Sequence, residues 1–213
     1  MNNEQKAQSR DAKFWDRIAK KYAAKPVADQ DVYEQKLART NRYLTAHDQV
    51  LEIGCGTGTT ALFHASRVAS ILATDISANM INIARDKAQA QSVANVEFEV
   101  ARVEELISRP DKFDVILAHS ILHLVPKVEV VLSGLASILK PQGLLITTTA
   151  CISNFMPLFR YIAPVGRAIR VFRYVNVFKE SEYRSWLEKA GFEIEESWLP
   201  APKRGLYVVA RKK

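Results

Sequence analysis

Val50-Leu51-Glu52-Ile53-Gly54-Cys55-Gly56-Thr57-Gly58-Thr59-Thr60 decides the fold of this 213-residue chain. An apolar, strand-like run ends at Gly54. Three glycines then alternate with small residues, and Thr60-Ala61-Leu62-Phe63-His64-Ala65 continues with a helix-compatible pattern. A strand, a glycine-rich turn and a helix start hold a nucleotide-like ligand against exposed backbone N–H groups. Glycine is needed because a side chain keeps the ligand off the backbone, and because a tight turn can demand positive φ.

The spacing separates two kinds of nucleotide site. A dinucleotide fingerprint has glycines at its first, third and sixth positions. Here the sixth position from Gly54 is Thr59, and Gly58 comes one residue early. No Gly-Lys-Ser/Thr follows, so a phosphate loop is excluded. An acid, Glu52, lies two residues before the first glycine. The pattern Glu52-x-Gly54-x-Gly56-x-Gly58 resembles motif I of the class I S-adenosylmethionine-dependent methyltransferases. The resemblance implies that Gly54, Cys55, Gly56, Gly58 and Thr59 back onto the methionine part of S-adenosylmethionine, with S-adenosylhomocysteine as product. It implies that Glu52 orders the turn or reaches the cofactor's amino end through water.

Composition fits that class. At 213 residues the chain can bury the core of one α/β domain. Its 48% hydrophobic and 25% charged residues are ordinary for a soluble globular protein. No apolar run reaches the length of a membrane span, and residues 1–6 carry no signal-peptide core, so a cytoplasmic protein is expected. Cys55 and Cys151 form no metal-type cluster and read as reduced thiols. The four histidines show no metal-ligand spacing, and no metal is expected; His47 and His64 read as ordinary surface or helix positions.

Strand-like runs at 50–53, 71–74, 96–100, 113–118 and 144–148 alternate with helical stretches at 60–67, 78–89 and 128–139. Such alternation predicts parallel crossover units and a sheet covered by helices on both faces. Pro141-Gln142-Gly143 predicts a turn before the fifth strand. The runs 192–198 and 205–210 are joined by a loop too short for a helical crossover and must pair antiparallel. The family resemblance, which runs from about Phe14 onward, then implies an α/β, Rossmann-like, mostly parallel seven-stranded sheet ending in an antiparallel hairpin. One domain over 1–213 is expected, with a helical lid at 10–45 and a substrate-lid insertion at 151–180. Residues 1–10 are expected to be loose.

Asp75, twenty-one residues after Gly54, ends the second strand-like run. A carboxylate there is placed to accept both ribose hydroxyls; alternatively it caps the next helix, a role Ser77 can also fill. Asp75-Ile76-Ser77-Ala78-Asn79-Met80 resembles the family's second motif, which implies that Ile76 and Met80 pack on adenine. After the third strand the family usually has Gly-Asp-Ala, whereas this chain reads Ala101-Arg102-Val103. Arg102 has no acceptor for the adenine amino group; it can stack on the ring, and the Val103 N–H can bind it. Tyr22, at the end of a Phe14/Ile18/Tyr22 stripe, resembles a lid tyrosine near the cofactor's carboxylate.

His119 falls where the family's chain passes the methyl-donating sulfur, and His123 follows four residues later. Either can orient or deprotonate the acceptor, since histidine titrates near neutrality. Alternatively His119 offers only its backbone to the cofactor. The segment 151–179 has no acid but carries Arg160, Arg167, Arg170, Arg173 and Lys179 among apolar and aromatic residues, within a chain of net charge +7. It suits an apolar or anionic small-molecule acceptor, or a membrane-surface contact through 155–179. A solvated lid helix is the plain alternative. Nucleic acid is disfavoured, since no RNA-binding module or base-methylation motif is visible. The competing functions are an RNA or protein methyltransferase docking through the basic insertion, and a non-catalytic cofactor-binding protein.

Overall fold

A computed structural model describes residues 3–156, 158, 175–201 and 204–213. β1 (Gln49–Ile53) has one exposed residue followed by four buried ones, as expected of a strand covered on both faces. It pairs in parallel with β2 (Ser70–Asp75), and β2 pairs in parallel with β3 (Val96–Val100). The crossovers are α3 (Thr59–His64) and α4 (Ala78–Ala90). α4 starts because Ser77 caps it, its hydroxyl accepting the Met80 N–H at 3.1 Å. Met80, Ile81, Ala84 and Ala88 form its buried face. α1 (Asn3–Ala24) and α2 (Gln30–Asn41) precede β1, with Asp29 capping α2. These elements form one compact unit, Met1–Arg102. Residues 3–10 are helical rather than loose, since α1 starts at Asn3.

The second compact unit, Val103–Lys213, contains α5 (Val103–Leu106), β4 (Phe113–His119), α6 (Val128–Ile138), β5 (Leu139–Thr149), α7 (Glu180–Lys189), β6 (Phe192–Trp198) and β7 (Leu206–Lys212). β4 and β5 are parallel, while β7 lies between β5 and β6 and is antiparallel to both. The seven-stranded order is β3-β2-β1-β4-β5-β7-β6. This is the mixed, mostly parallel sheet with an antiparallel C-terminal pair that the sequence predicts.

β5 differs from expectation at its start. Pro141-Gln142-Gly143 does not separate it from α6; the strand begins at Leu139 and carries these residues as a bulge. Phe113 pairs with Leu139 and Val115 with Leu144, so Asp114 alone spans the four residues between. Gln142 has φ +62°, and its carbonyl accepts an Arg211 N–H at 2.7 Å. Lys140 pairs with Asp114 at 2.8 Å. A Cβ on Gly143 would come within 2.9 Å of the Asp114 carbonyl oxygen, so only glycine fits.

α7 docks through Tyr183 and Leu187, both fully buried. Tyr183 stacks on Phe178 with ring centroids 5.8 Å apart, and its hydroxyl meets Thr147 Oγ1 at 2.7 Å inside the core. Tyr183→Phe leaves the Thr147 hydroxyl without that partner and is expected to cost about 1–3 kcal/mol of stability. Urea unfolding followed by circular dichroism checks this as a lower midpoint at unchanged slope.

Candidate functional site

The Gly54–Gly58 turn grows out of the β1–β2 register. Ile53 lies opposite Thr74, and the Cys55 N–H continues the ladder by donating to the Thr74 carbonyl at 2.9 Å. Gly54, Gly56 and Gly58 have φ of +67°, +55° and +75°. The left-handed geometry explains the alternation of glycines, since other residues pay for it in strain. Gly58 is also closely packed: a Cβ there would lie 2.7 Å from the Phe98 ring and 2.8 Å from Ala84 Cβ. Gly56 faces open space, with only Tyr22 Cε1 at 3.9 Å from such a Cβ. The turn is therefore packed behind Gly58 and bare in front of Gly56.

Asp75 joins this turn to the next. Its Oδ2 accepts the Gly56 N–H at 3.0 Å and its Oδ1 accepts the Ser77 N–H at 2.9 Å. Burial raises the Asp75 pKa, those two N–H groups and that of Ile76 pull it back, and Asp16 nearby adds to the rise. Ile76 is half-buried beside it, and the Ala101 N–H donates to the Asp75 carbonyl at 3.1 Å, which brings half-buried Arg102 to the same strand end. The first unit thus gathers Tyr22, Gly54, Cys55, Gly56, Asp75 and Ile76. Thr59 turns its hydroxyl to the Lys87 ammonium at 3.1 Å. Met80 is 2% exposed, on the inner face of α4.

Glu52 is a strongly perturbed group in this region. It is 2% exposed, and its Oε2 has no hydrogen-bond partner. Burial, reinforced by the neighbouring Asp75 charge, pushes its carboxyl up to about 8. The Cys55 thiol is raised well above its ordinary value, again mainly by burial, which fits a small filler rather than a nucleophile. His64 corrects the sequence reading of an ordinary helix position. It is fully buried, its Nδ1 meets Asn41 Oδ1 at 2.8 Å, and its Nε2 has no partner. Burial lowers its pKa to about 4.

In the second unit, α5 starts at Val103, which is buried, and β4 ends at half-buried His119. His119 Nδ1 lies 3.1 Å from Thr148 Oγ1, a partner the sequence did not suggest. Ser120 takes φ +57° and donates its N–H to the Thr148 carbonyl at 2.7 Å. His123 sits in the 3-10 turn Leu122–Leu124. Its Nδ1 is buried without a partner, and burial lowers its pKa, so the ring is neutral at physiological pH. Its carbonyl accepts the Asn176 N–H at 2.7 Å, and the Ser153 N–H donates to the Phe178 carbonyl at 3.1 Å. These bonds hold Ser153 and the 176–178 stretch. Arg160, Arg167, Arg170 and Arg173, and with them the basic edge expected of this segment, lie outside the described residues.

Among the described residues no group of three or more His, Cys, Asp or Glu is arranged to hold a metal ion, and no helix is long and apolar enough to cross a membrane. A groove of about 760 Å³ opens between α2, α3 and α4, but it is lined by Tyr33, Leu37, Asn41, Leu62, Phe63 and Lys87 rather than by the glycine turn or Asp75.

The sheet order and the glycine turn joined to a strand-end carboxylate define a class I methyltransferase architecture. The chain belongs to the methyltransferase-domain family, which matches residues 44–191. The ubiquinone biosynthesis O-methyltransferase of Xanthomonas euvesicatoria pv. vesicatoria is 28% identical over 165 residues, covering 74% of this chain and 67% of that protein. The protein of the same name from Coxiella burnetii is 27% identical over 153 residues, covering 68% and 63%. The chain thus spans about two thirds of the length of these curated relatives. In fold it is similar to the magnesium protoporphyrin IX methyltransferase of Synechocystis PCC 6803, solved with bound S-adenosylhomocysteine: TM-score 0.73, 18% identity, 97% of this chain and 100% of that one.

The Glu52 carboxyl carries a consequence for stability. Raised to about 8, it holds its proton in the fold at pH values where the unfolded chain has lost it. The folded state then binds more protons between about 4.5 and 8, so stability falls as pH rises through that window. Glu52→Gln removes this contribution. Urea midpoints at pH 5.5 and 8.5 are expected to fall for the wild type by more than for Glu52→Gln.

Proposed function

We propose that the chain binds S-adenosylmethionine at the Gly54–Gly58 turn and transfers its methyl group to an apolar or anionic small-molecule acceptor. The observation that carries this reading is the 3.0 Å bond from the Gly56 N–H to Asp75 Oδ2, which brings the bare turn and the strand-end acid onto one corner. The residues suit the group. Asp75 Oδ2 takes the Gly56 N–H and Oδ1 the Ser77 N–H, the Ile76 N–H also bonds the carboxylate, and its remaining lone-pair capacity suits a ribose hydroxyl. The unpartnered Glu52 Oε2 is an acceptor for the cofactor's ammonium end, reached directly or through water. Open space before Gly56 admits the methionine part, with Tyr22 at its edge. Ile76, Met80, Arg102 and Val103 remain the proposed adenine contacts.

When bound, S-adenosylmethionine supplies a methyl group already activated by its sulfonium sulfur. The protein's tasks are then alignment and exclusion of water. His119, oriented by Thr148, and His123, neutral and with a buried lone nitrogen, are the groups proposed to orient the acceptor or take its proton. Residues 10–45 act as the lid over the cofactor, and 151–180 close over the acceptor, within one methyltransferase domain over 1–213. Small-molecule chemistry is supported by the relatives, which are named for O-methylation in ubiquinone biosynthesis and, among solved structures, for methylation of magnesium protoporphyrin IX.

Isothermal titration with S-adenosylmethionine and S-adenosylhomocysteine tests the reading, and failure of both to bind at millimolar concentration removes it. Asp75→Ala is expected to weaken both by about 1–3 kcal/mol through lost charge-assisted hydrogen bonds. Unchanged affinity would reduce Asp75 to a turn-former.

A further inference from the structure

α1 carries one carboxylate that the cofactor reading leaves without a task. Asp16 Oδ1 accepts the Ser77 hydroxyl at 2.6 Å and the Asn79 N–H at 3.0 Å, and the Asn79 side-chain amide donates back to the Asp16 carbonyl at 3.1 Å. Ser77 caps α4 two residues after Asp75, and Asn79 lies in the first turn of that helix. The bonds run in series: Asp16 to Ser77 at 2.6 Å, Ser77 to Asp75 at 2.9 Å, Asp75 to Gly56 at 3.0 Å. The Ser77 hydroxyl commits its hydrogen to Asp16 and so keeps a lone pair for the Met80 N–H that it caps. Asp16 therefore decides how the buried Ser77 is oriented, and the Ser77 N–H is one of the backbone donors that hold Asp75, with those of Gly56 and Ile76.

The same helix reaches the other side of the corner. Trp15, next to Asp16, packs edge-on against Tyr22 with ring centroids 6.2 Å apart, and Tyr22 is the side chain poised over Gly56. α1 thus touches the acid's turn through Asp16 and the glycine turn through Tyr22. An anionic acceptor with two donors is a strong anchor, whereas Tyr22 is 52% exposed and a weak one.

We propose that Asp16 is a positioning residue for the cofactor site: its bonds to Ser77 and Asn79 clamp α1 onto the Asp75 turn, so that docking of α1 and occupancy of the site favour each other. The inference rests on the reading of the 54–58 turn as a cofactor site. Coupling of this kind is reciprocal, so a ligand held more tightly by docked α1 must hold α1 docked by the same factor.

S-adenosylhomocysteine is the probe, with two readouts on the full chain: its dissociation constant by titration, and the rate of trypsin cleavage in α1. Lys13, Arg17, Lys20 and Lys21 are exposed on that helix and report its undocking. In the wild type the ligand is expected to slow cleavage there. Asp16→Ala should weaken binding about tenfold or more and abolish that protection. Asp16→Asn keeps an oxygen acceptor without the charge and should restore binding to within about threefold of wild type, together with protection. Asn79→Ala, at an exposed position, removes only the amide donated to the Asp16 carbonyl; it provides a second variant if Asp16→Ala does not fold, with a smaller loss in the same direction. Wild-type affinity and intact protection in Asp16→Ala, or in Asn79→Ala where that variant stands in, would overturn the clamp and leave the cofactor reading standing. No binding by the wild type would instead overturn the cofactor reading itself.

Discussion

A backbone N–H donated to a carboxylate across two strand ends is the constraint on which the first unit turns. β1 and β2 are in parallel register up to Ile53 and Thr74, so the chain leaves both strands at the same level. At that level one strand contributes a turn whose glycines sit at positive φ, and the other contributes Asp75. Without the Asp75 oxygen, the Gly56 N–H loses its partner. Without left-handed φ at Gly56, that N–H points elsewhere. Sequence spacing, backbone conformation and side-chain charge are therefore one requirement, and α4 starts from the same knot because Ser77 serves both Asp75 and Met80.

The corner is electrostatically uncomfortable. Glu52 and Asp75 are two desolvated carboxyls, the Asp75 charge raises the proton affinity of Glu52, and Glu52 Oε2 has no hydrogen-bond partner. A fold selected for stability alone has no use for a buried acid on the second strand position before a glycine turn. Such conflicts concentrate where a protein handles a ligand. A ligand with a positive end relieves the conflict here, since it favours the ionised acids that the empty corner penalises. His64 shows the same kind of cost with no such relief in view, a buried imidazole with one nitrogen held by Asn41 and the other unpaired.

Local pattern made much of this legible. The five parallel strands, the hairpin, the glycine turn and the acid at 75 all follow from periodicity and spacing within short windows. The first residues of β5 did not, because Pro141-Gln142-Gly143 has turn chemistry, and it is held as a bulge by bonds from Asp114 to Lys140 and from Arg211 to Gln142, partners distant in sequence. The burial of His64 was hidden for a similar reason: α3 has six residues, too few to reveal a face, and the partner Asn41 is on another helix. Asp16 and Ser77 are 61 residues apart, and His119 and Thr148 are 29 apart. Single polar pairings of that separation leave no periodic trace, whereas the glycine motif is local and does.

The place of β7 has a consequence for biosynthesis. It is synthesised after β6 yet sits between β6 and β5. While the ribosome has delivered only as far as Trp198, β5 has a bare edge and β6 has no neighbour to pair with. The nascent chain must wait for Leu206–Lys212 before either ladder can close. In the half with the glycine turn, Met1–Arg102, β2 and then β3 each dock beside a strand already made, and the edge of β1 waits for β4, the next strand to emerge. Vectorial synthesis therefore gives the two halves different exposure to misfolding, and the later half is the one a chaperone has reason to guard.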